Sequence, residues 1–365
     1  MNRSLSSIIL LLLSQTTQAE SYVQDSFILS PQSQPSIYEY LDCNGSISQK
    51  WYEGLPGNLD DYKNTAVRFV RSGNKTTSSC SNQTDRVELH AKNIPPQSIT
   101  PGETRNSRWF AFSFKVTNTS PLSTEYKKYD ASGNEISSEY PGAIIFQQWF
   151  TSQMGPKTQF YLSEQDGKLS INFLHQIVCG TSPANDYIVI DRDNDGNLER
   201  EYNTDNYKDT LRNNDNEKLC KTNDNNYIDG SEVVAHLPDK SDTVLFIRKA
   251  RFDSEEITID TWYHVRLEVI ADAPVDGREI AFGKVSAAIK STDGSWKAFS
   301  YQYQGNRQAY FYTFTHEVDE NNEMIPNQNK FGWYGKAAYG TYGYIYFDEV
   351  HINDYFGALP LIYRN

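Results

Sequence analysis

The stretch Lys330-Phe331-Gly332-Trp333-Tyr334 has the residue pattern of a β-strand with two different faces. Successive side chains of an extended strand point to opposite faces of the sheet. Lys330, Gly332 and Tyr334 then share one face, and the apolar rings of Phe331 and Trp333 share the other. A glycine weakens a strand interior and often marks the close approach of a ligand or another backbone. This pattern predicts one face packed in a core and one face that is available for chemistry.

Many other stretches of the chain show strand patterns. Segments 65–71 and 85–90 alternate apolar and polar residues, and segment 108–116 is long and rich in aromatic residues. Asp166-Gly167 and Asp293-Gly294 each separate two such stretches, which is a strong hairpin signal. Many strands with Gly, Asp and Asn turns and almost no helical pattern predict an all-β fold, a β-sandwich or jelly roll of two antiparallel sheets.

The first residues have the pattern of a secretory signal peptide. Arg3 precedes an apolar run from Ile8 to Leu13, and small and polar residues follow up to Ala19. The run is too short to span a bilayer, so residues 1–19 are expected to be cleaved; a buried N-terminal helix is the alternative. No later stretch is apolar enough for a membrane span, which predicts a secreted protein, extracellular or periplasmic, without a membrane partner.

The remaining residues, 20–365, are predicted to form a single domain, because all-β domains often exceed the average domain length. Its start, 20–60, is expected to hold a short helix or an irregular segment, and a monomer is expected. The net charge of −13 argues against a nucleic-acid partner, which would need a basic face. An acidic substrate would therefore have to meet a local basic patch.

The four cysteines predict two disulfides, because an even number in an exported protein usually pairs. Their order along the chain favours Cys43–Cys80 and Cys179–Cys220, while three pairings are open. No C-x-x-C spacing occurs, which argues against a zinc site.

Residues 181–235 differ from the rest of the chain, since they are dense in Asn and Asp and nearly free of apolar periodicity. We interpret them as a long loop inserted between strands and closed at its base by Cys179 and Cys220. A disordered insertion is the alternative.

Near the start of this insertion lies a D-x-D-x-D-G run, whose oxygen ligands have a spacing that suits calcium. An EF-hand loop would place a bidentate Glu at its twelfth position, where Tyr202 stands. A structural calcium ion that orders the insertion and a solvated acidic turn therefore both stay open, and no cofactor is expected for catalysis. The candidate ligands are Asp191, Asp193, Asp195 and Asn197.

Two further strands carry polar residues at notable positions. Arg86, Glu88 and His90 alternate with apolar residues and so share one face; a solvated face with an ion pair is the alternative. Gln148 stands next to Gln147 inside an otherwise apolar strand, where a polar pair needs partners or a cleft. These side chains are candidates for a site.

His175 ends a strand whose same-face residues are apolar, which favours a core histidine with satisfied hydrogen bonds.

Other arrangements argue against hydrolytic chemistry. A glycosidase needs paired carboxylates, and Asp348 and Glu349 point to opposite faces of their strand. No G-x-S-x-G elbow is present.

Taken together, these motifs resemble jelly-roll polysaccharide lyases. Lys330-x-Gly332-x-Tyr334, followed by strand 346–352, is similar to the C-terminal signature of the glucuronan lyase and heparin lyase I types and, more distantly, of alginate lyases. Arg86-x-Glu88-Leu89 resembles their arginine strand, and Gln148-Trp149 resembles their Gln-Trp-His or Gln-Ile-His motif. Segment 262–266 is similar to a strand seen across concanavalin-like sandwiches. The matches follow the same order from about residue 65 onward.

One departure from that pattern concerns a histidine. Where the family has histidine two residues after the glutamine, this chain has Phe150. His175 or His90 would then fill the space, or the reaction would proceed without histidine.

The resemblance implies β-elimination on a uronic-acid polymer, with an acidic polysaccharide such as glucuronan, alginate or a glycosaminoglycan as partner. The proton removed lies next to a carboxylate, and neutralising that carboxylate stabilises the intermediate. Arg86 and Gln148 are expected to do so, while Tyr334 acts as base, acid or both. A nearby cation such as Lys330 favours the phenolate. The expected substrate-binding residues are Glu88, Trp149, Gly332 and Tyr342.

Two other function classes stay open. A non-catalytic carbohydrate-binding lectin is favoured by the missing histidine and the calcium-like run. A glycoside hydrolase on a concanavalin-like sandwich is the other. The ultraviolet absorbance of an unsaturated uronate end separates a lyase from both.

Overall fold

The computed structural model describes most of the β-structure of the chain. The described residues are 21–25, 38–43, 45–51, 65–72, 86–92, 94–99, 104–119, 122, 124, 126–129, 135–139, 142–149, 156–183, 187–190, 199–202, 233–237, 240–274, 280–303, 306–309, 311–335 and 341–365.

Strands dominate these residues; the described helical elements are a 3-10 turn (Phe356–Ala358) and a short helix α1 (Leu361–Arg364), and Leu122 is a single further helical residue. The strands are β1 (Ser21–Asp25), β2 (Tyr38–Cys43), β3 (Gly45–Trp51), β4 (Thr65–Ser72), β5 (Arg86–Ala91), β6 (Arg105–Asn118), β7 (Tyr126–Tyr129), β8 (Glu135–Glu139), β9 (Ala143–Trp149), β10 (Pro156–Gln165), β11 (Lys168–Pro183), β12 (Tyr187–Ile190), β13 (Glu199–Tyr202), β14 (Val233–Leu237), β15 (Lys240–Arg251), β16 (Glu255–Glu256), β17 (Trp262–Asp272), β18 (Ile280–Ser291), β19 (Lys297–Ala298), β20 (Tyr301–Tyr303), β21 (Asn306–Gln308), β22 (Phe311–Glu317), β23 (Gln328–Tyr334) and β24 (Tyr342–Asn353).

Two antiparallel sheets, each of nine described strands, form the body of the protein. The first sheet has the order β19-β18-β17-β6-β24-β4-β3, with β1 on β24 and β22 on β18. The second sheet has the order β14-β15-β11-β10-β9-β23-β5-β2, with β16 on β11. The predicted all-β class, a jelly roll of two antiparallel sheets, is confirmed.

Aromatic side chains from both sheets fill the space between them. Phe112 of the first sheet stacks on Phe146 of the second with ring centroids 5.4 Å apart, and Phe69 meets Phe331 edge-on at 6.1 Å. Trp333 is 0% exposed in the same core cluster. Aromatic residues bury the largest areas of any side chains, so this cluster contributes much of the stability of the sandwich. The predicted apolar face of Phe331 and Trp333 is therefore confirmed.

The predicted strands and hairpins agree well with the structure. The Asp166-Gly167 turn joins β10 to β11, and both turn residues have positive φ, 53° and 75°. This conformation suits a tight hairpin. Asp293-Gly294 joins β18 to the very short β19. In residues 20–60, where a short helix or an irregular segment was expected, the described part consists of strands β1, β2 and β3, which pair with β24, β5 and β4.

Several predictions lie outside the described residues. These are the signal peptide, the candidate calcium ligands Asp191, Asp193, Asp195 and Asn197, and two partners of the cysteine pairs, Cys80 and Cys220. The segment that contains the candidate ligands joins β12 to β13. These two strands pair antiparallel, with Tyr187 opposite Tyr202 and Ile190 opposite Glu199. Within the described part of the chain, no helix is long and apolar enough to cross a membrane.

Candidate active site

The outward face of the second sheet carries a set of polar side chains that we call the polar face. Lys330 of β23 pairs with His90 of β5 on one side and with Gln147 of β9 on the other. Residues paired directly across antiparallel strands share a face, so these three side chains form a row. Tyr334 pairs with Arg86 four residues further along β23. The members of the polar face are Arg86, Glu88, His90, Gln147, Gln159, Lys330 and Tyr334.

Most of the polar face is shielded from solvent. Glu88 is 1% exposed and Lys330 is 8% exposed, while Arg86 and Tyr334 are half-buried. Glu88, Gln147 and Lys330 are thus buried together, while Arg86 and Tyr334 are partly open to solvent. Electrostatic interactions are stronger in such surroundings than in bulk water.

Gly332 is explained by the backbone. Its φ is +141°, a value that L-residues with a side chain rarely adopt, and it pairs opposite Glu88. A Cβ at this position would lie 2.9 Å from Glu88 Cα and 2.9 Å from Phe69 Cδ1, and closer still to the Val87 carbonyl oxygen. The glycine therefore allows β23 and β5 to approach each other, and its missing side chain faces the protein. Gly332 was expected among the substrate-binding residues, and this geometry gives it a backbone role between the two strands.

Gln147, and not the predicted Gln148, lies on the polar face. Gln147 Nε2 donates a hydrogen bond of 2.5 Å to Glu88 Oε1. Gln148 points the other way, into the sandwich, where its Nε2 donates to Asn329 Oδ1 at 3.0 Å. The reason is a register shift in β9: Ile144 pairs with Tyr161 and Phe146 pairs with Phe160, so one extra residue changes which side chains face outward.

The two candidate histidines are on opposite sides of the second sheet. His90 is half-buried on the polar face, opposite Lys330. His175 is fully buried on the inner side, hydrogen-bonded to Thr158 Oγ1 through Nδ1 at 2.9 Å. Burial, followed by the charge of Lys157, holds the pKa of His175 well below its ordinary value. His175 is thus a core histidine, as the apolar face of its strand favoured. Of the two candidates, His90 is the one that pairs opposite Lys330.

Lys157 is an unexpected buried cation on the inner side of this sheet. Its Nζ donates to the backbone carbonyl of Thr315, and Asn327 Nδ2 donates to the same oxygen at 3.1 Å. Burial holds the pKa of Lys157 well below the ordinary lysine value. This cluster is separated from the polar face by the sheet itself.

Tyr342 and Trp149 are the two aromatic residues that we expected to bind substrate. Tyr342 begins β24 in the first sheet, opposite Ser72, and is 48% exposed. Trp149 ends β9 and pairs with Gln328 of β23, so its backbone lies at the margin of the polar face. Its side chain is outside the described part of the structure.

Glu88 supplies the carboxyl group of the polar face. Burial raises its pKa to about 7, against the charges of Lys330 and Arg86 and the hydrogen bond from Gln147, which lower it. Its Oε2 has no hydrogen-bond partner among the described residues. A carboxyl of this kind exists in both protonation states near neutral pH.

Gln147 and Gln159 are the members that the sequence interpretation did not select. Gln147 on β9 pairs directly opposite Gln159 on β10. The row of polar side chains therefore runs from His90 through Lys330 and Gln147 to Gln159, across four strands and a width of about 14 Å. Apolar residues fill positions 143–146, so alternation in the sequence did not decide which glutamine faces outward. Among the described residues, no group of three His, Cys, Asp or Glu side chains could hold a metal ion.

The chemical capacity of the polar face follows from its members. Arg86 and Lys330 can bind an anionic group, and an amide such as that of Gln147 can donate to a developing oxyanion. Tyr334 can exchange a proton with a bound molecule. The arrangement suits a reaction that creates negative charge next to an acidic group.

No family model matches this chain, and no curated protein matches it either. Among solved structures, the marine PL-14 alginate lyase from Aplysia kurodai is 9% identical, with 84% of this chain and 89% of that chain covered and a TM-score of 0.36. The alginate lyase vAL-1 from Chlorella virus is 9% identical, with 92% and 100% covered and a TM-score of 0.37. A GH131 beta-glucanase catalytic domain from Podospora anserina is 11% identical, with 90% of each chain covered and a TM-score of 0.37. Similarities this distant do not assign a function to this chain.

Proposed function

We propose that this protein is a secreted polysaccharide lyase that cleaves a uronic-acid-containing polysaccharide by β-elimination. The observation that supports this most is the pairing of Tyr334 with Arg86 on the same face as Lys330 and Gln147. These residues supply a proton-transfer group, two cations and an amide donor. A uronate needs all three functions when it undergoes elimination.

The proposed chemistry divides between these side chains. Arg86, Lys330 and Gln147 bind the uronate carboxylate and stabilise the negative charge that spreads onto it when the neighbouring C–H proton leaves. Tyr334 removes that proton as phenolate, or protonates the departing glycosidic oxygen, or does both in turn. The electrons of the C–H bond form the new double bond, and the C–O bond to the leaving sugar breaks. The product is an unsaturated uronate and a new sugar end, and no water is consumed.

The role that we propose for Gln147 replaces the role first expected for Gln148. Its amide is on the polar face, fixed by Glu88 at 2.5 Å, whereas the amide of Gln148 bonds to Asn329 inside the sandwich. A preorganised donor costs no reorganisation when the charge develops. This scheme assigns no step to a histidine. Of the two candidate histidines, His90 is the one that pairs opposite Lys330 on the polar face.

The test is incubation of the protein with glucuronan, alginate, heparin and ulvan, followed by the ultraviolet absorbance of the unsaturated uronate end. We expect absorbance to rise with at least one polymer and Tyr334→Phe to abolish the rise without changing the fold. Tyr355→Phe is the matched control, because that exposed tyrosine follows β24 beside the 3-10 turn, belongs to no proposed site and should keep full activity. New reducing ends without absorbance would indicate a hydrolase, and binding without cleavage would indicate a lectin. Near-normal activity of Tyr334→Phe would overturn the role of this residue.

A further inference from the structure

Glu88 is a carboxyl group at the centre of a cationic site. On its own strand, Arg86 and His90 flank it two residues away on the same face. On β23 it pairs opposite Gly332, between the positions of Lys330 and Tyr334. A buried carboxylate is tolerated when cations compensate its charge. The same cations are the ones that an acidic sugar would need.

The hydrogen bonds of Glu88 leave one oxygen for a proton. Gln147 Nε2 donates to Oε1, whereas Oε2 is buried and has no hydrogen-bond partner among the described residues. A proton on Oε2 would leave the bond to Gln147 intact, since the carbonyl oxygen of a carboxylic acid still accepts. Glu88 can therefore change its charge without releasing the amide that it holds.

We propose that Glu88 is a positioning residue that takes up one proton from solvent when an acidic sugar chain binds, because Glu88 and the sugar carboxylate compete for the charge of Arg86 and Lys330. The inference rests on the proposed function, since it takes the polar face as the binding site. Two carboxylates that share one site cannot both stay ionised at little cost, and the more buried one takes up the proton. Protonated Glu88 then still holds Gln147 in place.

The charged and titratable groups around Glu88 allow this exchange near neutral pH. Among the described residues of the packed strands, β5 contributes Arg86 and His90, and β23 contributes Lys330 and Tyr334. β9 contributes the uncharged Gln147, and β2 pairs Leu41 opposite Glu88 and Glu39 opposite His90. Burial raises the pKa of Glu88 to about 7, so about half of the unliganded molecules carry its negative charge at that pH.

This coupling has a defined effect on affinity. Above about pH 7 the sugar must bind together with a proton, so the dissociation constant rises by up to about tenfold per pH unit. Below that pH Glu88 is already protonated and affinity levels off. In steady-state kinetics the effect falls on KM and much less on kcat, because protonated Glu88 is the same in every bound complex.

The test is calorimetric titration of the full chain with oligoglucuronate and oligomannuronate from about pH 5.5 to about pH 8.5, in the Tyr334→Phe background so that nothing is cleaved. At about pH 7 the heats in two buffers of different ionisation enthalpy should show uptake of about half a proton. Glu88→Gln, which mimics the protonated state, should bind with a pH-independent constant and no proton uptake. Glu268→Gln is the matched control: this half-buried carboxyl also has a raised pKa, but it bonds to Ser107 in the first sheet and should keep the wild-type profile.

The outcomes separate the inference from the proposed function. A pH-independent dissociation constant and no proton uptake, with Glu88 present, would overturn the inference while leaving acidic-sugar binding in place. Proton uptake that persists in Glu88→Gln would overturn it too and would point to His90. No binding of either oligosaccharide at any pH would overturn the choice of ligand and the inference together. The buffer comparison with Glu88 present stands even if Glu88→Gln does not fold.

Discussion

Replacing each glutamine of the Gln147-Gln148 pair by leucine distinguishes the two faces of β9. Leucine keeps much of the side-chain volume and removes the amide, so each variant loses one side-chain hydrogen bond, to Glu88 Oε1 or to Asn329 Oδ1. Either change leaves a buried polar group without its partner, which costs about 1–3 kcal/mol of unfolding free energy. The two variants should therefore be destabilised to a similar degree.

Their activities should differ sharply. Removing one donor to a developing oxyanion typically lowers kcat by a factor of about 100 to 1,000. We expect that loss for Gln147→Leu, whose amide is on the polar face, and at most a small change per folded molecule for Gln148→Leu. The assay is the initial rate of ultraviolet absorbance on the polymer that the wild type cleaves, with urea unfolding to correct for the folded fraction. Loss of activity in a folded Gln148→Leu protein, with Gln147→Leu active, would refute the assignment of the two faces.

Three further predictions concern stability. Gly332→Ala should lower the unfolding free energy measured in urea by at least about 2 kcal/mol, because the new Cβ adds steric overlap to an unfavourable φ. Gly167→Ala is the control: its Cβ would meet nothing within 4 Å, so the same assay should show a loss of only about 1–2 kcal/mol. Trp333→Ala should cost about 3–5 kcal/mol, because the ring is fully buried in the core; a loss below about 1 kcal/mol in the same assay would contradict this packing. His175 and His316 should make the protein less stable in acid, because burial and then the charge of Lys157 lower both pKa values. Below about pH 6.5 the unfolded chain therefore binds more protons than the folded protein. The unfolding free energy should then fall by up to about 1.4 kcal/mol per pH unit for each histidine. His316→Gln should make this slope shallower, and an unchanged slope would show that the histidine is not the cause.

The sequence predicted those features that depend on local alternation. The split of Lys330 and Tyr334 from Phe331 and Trp333 follows from the period of two in a strand, and the structure confirms it. The Asp166-Gly167 hairpin likewise depends only on the conformational preferences of the turn residues. Such features need no knowledge of which strands are neighbours.

Features that depend on bulges and strand partners could not be predicted in this way. The register shift in β9 changes the phase of alternation by one residue, so Gln147 faces outward where Gln148 was expected. Tyr342 is 12 residues from Lys330 in the chain but starts a strand of the other sheet, and the choice of sheet depends on long-range pairing with β4 and β6. The raised pKa of Glu88 depends on burial by other parts of the protein, which alternation within β5 does not specify.

The measurement that tests β-elimination most directly is the mass of the cleavage products formed in water labelled with a heavy oxygen isotope. Elimination breaks the glycosidic C–O bond without adding water, so the products should carry no label and the new non-reducing end should be lighter by one water than a hydrolysis product. We predict unlabelled, unsaturated ends with the wild type and no products with Tyr334→Phe. Incorporation of one labelled oxygen per cleavage would contradict the account, because it would show that water attacks the bond and that the polar face supports hydrolysis.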